Sequence, residues 1–351
     1  MSHSRQADKA GKGLWFGFGL FLVLLVGGFL YFVYFFLPHQ IASSILTRSK
    51  TRLPIEWTPK DDGFSYQDVS FKTSDGILLS AWWMPVSRKP LGTILLTHGI
   101  FKNRGQVLNR AEFLVKAGYQ VLLFDQRGEG LSGESPVSGG VLEAGDFLAG
   151  VNYLKKNKHL SKPLVFMGFS LGAISALRAA AQYPELDAVI ADSPLPNGKA
   201  YVSRRTLGGF FTSMPGFLDK CLEDYDQLTG LTLKTEDLDL SLVVPRFNDI
   251  PVLYISGEAD DLARPVEVRE LFNLTRTHHR SLVYIPAAGH EQTYLSAPEI
   301  YEQAVKEFLE KVREHFPEMD QAELLKKAKI ITLGPSKKSV SSKIKHLFTK
   351  K

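Results

Sequence analysis

The stretch Gly168-Phe169-Ser170-Leu171-Gly172 sets one serine between two glycines as G-x-S-x-G. It follows the apolar run 163–167 and precedes an Ala-rich stretch, 173–182. A buried strand that turns sharply into a helix lifts a serine hydroxyl clear of the sheet edge. The two glycines relieve crowding where strand and helix approach. Ser170 is therefore the candidate nucleophile. A serine hydroxyl reacts poorly at neutral pH, so it needs a base within hydrogen-bond reach and an acid that orients the base. His290 is the candidate base, in the small-residue loop Ala287-Ala288-Gly289-His290 after the last strand-like run. His278 and His279 are rivals, set in a polar cluster with Arg276 and Arg280. The acid should follow the run 251–256, where Glu258, Asp260 and Asp261 supply carboxylates. Asp260, three residues after Gly257, has the preferred spacing. Asp261 competes with it, and Glu258 reads as solvated.

Acyl transfer on such a serine also needs N–H groups aimed at the developing oxyanion, each contributing about 3 kcal/mol. Leu171, next to the nucleophile, should donate one. The other should come from His98-Gly99-Ile100-Phe101 after the run 92–97, with Ile100 preferred over Phe101. His98 reads as a structural loop residue. This chemistry requires no metal or organic cofactor.

The elements that must position these groups alternate. Strand-like runs fall at 69–72, 77–83, 92–97, 120–124, 163–167, 188–191, 251–256 and 281–285. Helical stretches fall at 104–117, 141–155, 171–182, 266–274 and 299–315. Such alternation implies a parallel sheet covered on both faces, an α/β fold. Residues 193–250 interrupt it with Pro194, Pro196, Gly208-Gly209 and Pro215, and read as a small cap over the site. The single cysteine, Cys221, lies in a polar stretch and reads as a structural or exposed thiol. It excludes an internal disulfide framework and a multi-cysteine metal site. The formal charge of +5 is modest, and much of the excess lies in a lysine-rich C-terminal tail, so no nucleic-acid groove is expected.

Residues 14–37 carry no charge: LWFGFGLFLVLLVGGFLYFVYFFL. About 20 apolar residues in a helix span the hydrocarbon core of a bilayer, and a signal-peptide core is shorter, about 7–15 residues. Trp15, Phe16, Tyr31 and Tyr34 stand near the ends, as an interfacial belt would place them. The segment reads as an uncleaved single-pass anchor. Arg5, Lys9 and Lys12 stand closer to it than Arg48, Lys50 and Arg52, which favours an extracytoplasmic catalytic domain on a small asymmetry.

The ordered motifs His98-Gly99, Asp125-Gln126-Arg127-Gly128-Glu129-Gly130, the Ser170 turn, the Gly257-to-Asp260 turn and Gly289-His290 resemble those of the α/β-hydrolase superfamily. The chain order Ser, Asp, His is also that of the superfamily. Gly140, Glu143 and Asp146 look like its branch of membrane-anchored, monoacylglycerol-lipase-like serine esterases. The resemblance implies an eight-stranded, mostly parallel sheet with an antiparallel second strand, and structural roles for Asp125 and Arg127. The expected organisation is a flank at 1–13, an anchor at 14–37, a connector at 38–65, an α/β-hydrolase domain at 66–320 with the cap at 193–250, and a basic tail at 321–351. The expected substrate is a small-molecule or lipid ester. Rival readings are a peptidase or amidase on the same scaffold, and a catalytically silent membrane protein that binds a lipid or partner.

Overall fold

The computed structural model of the chain describes residues 2–205, 209–247 and 249–315, so the basic tail at 321–351 lies outside the described residues. All eight expected strands form: β1 Gln67–Lys72, β2 Leu78–Met84, β3 Thr93–Thr97, β4 Gln120–Phe124, β5 Leu164–Phe169, β6 Ala188–Asp192, β7 Val252–Gly257 and β8 Arg280–Ile285. They make one sheet in the order β1-β2-β4-β3-β5-β6-β7-β8. β2 runs antiparallel to both neighbours, and the other pairs are parallel. β3, β4, β5, β6 and β7 are buried along their whole length, which is why they read as continuous apolar runs. The chain order reverses between β3 and β5. At such a switch point the loops leaving the carboxyl ends of two neighbouring strands part and open a crevice.

The N-terminal run forms the long helix α1 (Ser2–Tyr31). From Trp15 to Phe32 its described side chains are exposed all round, although they are almost wholly apolar. A core helix of a soluble domain would bury them. This is the one helix among the described residues long and apolar enough to cross a membrane, and it continues to Arg48.

The first part of the expected connector at 38–65 is helical. A π-helical turn, Phe32–Phe36, leads into α2 (Leu37–Lys50), and irregular backbone begins only at Thr51. Pro38 halts a helix when its missing N–H and its ring meet the carbonyl one turn back. Here it occupies the first turn of α2, and the Leu37 N–H reaches the Phe32 carbonyl five residues back. The widened turn accommodates the proline. From Val33 onward one side of the rod is covered by the insertion, while Phe35, Phe36, His39 and Gln40 stay exposed. Val33 packs with Val202 and Phe211, and with Phe217, Leu218 and Cys221 of α7 (Phe217–Thr229); Tyr34, Leu37 and Ile41 pack against this cluster. Cys221 is thus buried rather than exposed, and burial, with Asp224 nearby, pushes its thiol up to about 12.

Candidate active site

Ser170 sits between β5 and helix α5 (Leu171–Ala180) at φ 53° and ψ −113°. A non-glycine residue held there stores about 1–3 kcal/mol of strain, which surrounding contacts must offset. The Ser170 N–H donates to the Asp192 carbonyl at 2.8 Å. A Cβ on Gly168 would lie 2.1 Å from the Gly172 backbone, and one on Gly172 would lie 2.7 Å from the Thr97 and His98 carbonyls. The two glycines therefore permit the close strand–helix approach that exposes the hydroxyl.

His290 Nε2 lies 2.8 Å from Ser170 Oγ, and its Nδ1 lies 2.8 Å from Asp260 Oδ2. A carboxylate only accepts, so Nδ1 carries the proton and Nε2 is free to accept from the serine. Asp260 is 3% exposed, and its Oδ1 accepts the N–H groups of Leu262 and Ala263 at 2.9 and 2.7 Å. The acid turn and the histidine loop touch directly: a Cβ on Gly257 would lie 2.3 Å from the Ala288 carbonyl, which instead accepts the Ala259 N–H. Asp261 and Glu258 are exposed. His278 and His279 are exposed beside the start of β8, where the His279 carbonyl accepts from Val252 at the amino end of β7. The structure thus brings Ser170, His290 and Asp260 together and leaves their sequence rivals apart.

The loop after β3 places the other candidates. Phe101, at φ 59°, gives its N–H to Glu129 Oε1 at 2.7 Å. The N–H groups of Ile100 and Leu171 have no partner among the described residues, and both residues line the cavity that holds Ser170. His98 is fully buried; its Nδ1 faces the Gly99 carbonyl at 2.8 Å, and its Nε2 accepts from Gln126. Burial holds its pKa down, so it is a neutral strut.

Burial pushes the Glu129 carboxyl up to about 8, with Glu143 and Asp125 adding to the rise against the Phe101 N–H. The folded protein therefore keeps a proton that the unfolded chain releases near the ordinary value. The associated stability is complete in acid and is lost as pH rises through about 8. Glu129→Gln should therefore flatten the fall in melting temperature between pH 5 and pH 9. A wild-type-like slope in the variant, followed by circular dichroism, would contradict this.

Other charged residues hold loops. Asp125 accepts from the Arg104 N–H and guanidinium at 2.7 and 2.9 Å and from Leu131 at 2.8 Å. Arg127 spans Asp146 at 2.8 Å and Asp75 at 2.7 Å. Sequence reasoning missed a third cluster. Asp192, fully buried at the end of β6, accepts from Arg110 at 2.9 Å, and from Thr293 and Tyr301 at 3.0 Å each. Arg110 lies on α3 (Leu108–Ala117), Thr293 on α9 (Thr293–Ser296) just after His290, and Tyr301 on α10 (Pro298–His315). The available signal was an aspartate ending an otherwise apolar strand.

A cavity of about 600 Å³ opens above Ser170 and His290. The insertion supplies Leu195, Tyr201, Leu218 and Tyr225 to its lining, and α2 supplies Ile41, Ala42 and Ile45. No cluster of three or more His, Cys, Asp or Glu side chains arranged to hold a metal ion occurs among the described residues.

Comparison with known proteins bears on the family. The family model described as serine aminopeptidase, S33, matches residues 88–226. An esterase of Pyrococcus furiosus is 30% identical, with a TM-score of 0.61, and the match covers 74% of this chain and 96% of the esterase. The α/β hydrolase domain-containing protein WAV2 of Arabidopsis thaliana is 25% identical over 72% of this chain and 82% of its own length. An uncharacterized membrane protein of Saccharomyces cerevisiae is 24% identical over 72% of this chain and 82% of its own. The chain belongs to the α/β-hydrolase superfamily.

Proposed function

We infer that the protein is a membrane-anchored serine hydrolase that cleaves carboxylic esters through an acyl-enzyme. The observation carrying this reading is the continuous Asp260–His290–Ser170 hydrogen-bonded chain beneath an apolar cavity. Ser170 Oγ attacks the ester carbonyl while His290 Nε2 takes its proton. Asp260 holds the imidazole in the accepting tautomer and stabilises the imidazolium. The Ile100 and Leu171 amides receive the oxyanion. His290 then returns the proton to the departing alcohol, and a water activated by the same nitrogen releases the acid and regenerates Ser170. The exposed apolar helix and the yeast relative's description as a membrane protein support anchoring. Arg52 bonds to the Gly130 and Ser132 carbonyls and to Glu134, so it is engaged by the folded domain rather than free at the membrane flank.

A fluorophosphonate probe should label the wild type on Ser170, and Ser170→Ala should lose the label. An unlabelled wild type would sink the assignment. The aminopeptidase description of the matching family favours a second reading, an amidase or peptidase on the same residues. Matched ester and anilide substrates separate the two: the ester reading expects kcat/KM to favour the ester well beyond the difference in the uncatalysed rates.

A further inference from the structure

We propose that the helix continuing from the membrane run is itself a wall of the acyl-binding site, and that the substrate is a lipid ester whose acyl chain reaches Ser170 from the bilayer side, past Leu222 and Leu233. The proposal rests on the ester reading above and names its substrate class.

Three observations carry it. First, α2 presents Ile41, Ala42 and Ile45 to the cavity that holds Ser170, and Ala42 is buried there. Second, a separate groove runs along the rod just before α2, lined by Gly27, Leu30, Tyr34 and Phe35. Leu222 and Leu233 line both this groove and the active-site cavity, so two leucines stand between one and the other. Third, the groove changes character across its width. Its rod side is apolar and aromatic, whereas the opposite rim carries Asp219, Lys220 and Glu223. A surface apolar on one side and charged on the other suits the boundary between acyl chains and water. A chain leaving the bilayer along Leu30 and Phe35 would stay against apolar surface until it passed Leu222 and met Ile41 and Ala42. A polar substrate arriving from water would gain nothing from such a lining.

The test uses the full chain in detergent micelles and in phosphatidylcholine vesicles. Activity is read on soluble butyryl and myristoyl esters and as fatty acid released from the vesicles. Ala42→Trp should lower the myristoyl-to-butyryl ratio of kcat/KM at least tenfold, because the indole occupies the distal space. Ile45→Ala, which introduces no clash, should move the ratio the other way, about threefold. Leu222→Trp should lower vesicle hydrolysis relative to soluble myristoyl ester at least tenfold, since it narrows the passage from the groove. Unchanged ratios in Ala42→Trp and Ile45→Ala, with wild-type melting temperatures, would overturn the α2 wall. An unchanged vesicle-to-soluble ratio in Leu222→Trp would overturn the bilayer route. If the wild type cleaves neither soluble ester, the ester reading itself fails, a result distinct from either of these.

Discussion

Ser170→Ala and His290→Ala should each lower kcat for a soluble ester by about 10⁶-fold, and the double variant should be no worse than either alone, because the two groups act as one unit. A loss of that size corresponds to about 8 kcal/mol of transition-state stabilisation. Asp260→Asn should cost about 10⁴-fold for a separate reason. The Leu262 and Ala263 N–H groups hold one carboxylate oxygen, so an amide there would keep its oxygen on them and turn its NH2 toward His290. The imidazole would then accept at Nδ1 and carry its proton on Nε2, where it cannot take one from Ser170. Asp261→Asn, on an exposed side chain, should change kcat less than twofold. Steady-state kinetics on the four single variants and the double variant checks the whole pattern. Additive losses in the double variant, or a larger loss at Asp261 than at Asp260, would contradict it.

The second large effect concerns stability. Asp192→Ala should destabilise the fold by about 3–5 kcal/mol, the usual cost of leaving one member of a buried ion pair unmatched. At this domain size that lowers the melting temperature by roughly 10 °C. The cause is local. The Arg110 guanidinium lies 5.3 Å from the ring centres of Phe169 and Tyr301 and 5.6 Å from that of Tyr294, and its other hydrogen-bond partners are the Tyr301 and Thr293 hydroxyls and Asn109 Oδ1, so without Asp192 its charge has only neutral groups bonded to it. Activity should fall as well, because Thr293 loses the acceptor that holds the segment after His290. Replacing Arg110 and Asp192 together by Met and Leu should recover much of the stability. Thermal unfolding by circular dichroism measures both, and a double variant as unstable as the single would refute the unpaired-charge account.

Local patterns made the sheet legible. Short runs between helical periods gave away each strand, and β1 begins earlier than expected because its opening residues, Gln67 and Asp68, are exposed and carry no apolar signal. Ser170, His290 and Asp260 were legible because each follows a strand, and the loops leaving carboxyl ends of parallel strands share one rim. Two features were not legible. The Asp192 cluster joins residues from four elements, and its partners have no common spacing. The continuation into α2 was hidden by Pro38, which ends a helix in most settings but is accommodated here by the π turn before it.

That unbroken helix has a mechanical consequence. With α1 in a bilayer, no slack tether separates the lipid from the reactive hydroxyl. The rise from Phe32 to Ile45 is only about 20 Å at 1.5 Å per residue, which sets the altitude of the site above the acyl chains. An enzyme so mounted hunts in two dimensions. Its turnover should follow the number of substrate molecules per unit area of membrane, holding steady when vesicles are diluted in buffer and falling when the substrate is thinned within the sheet of lipid.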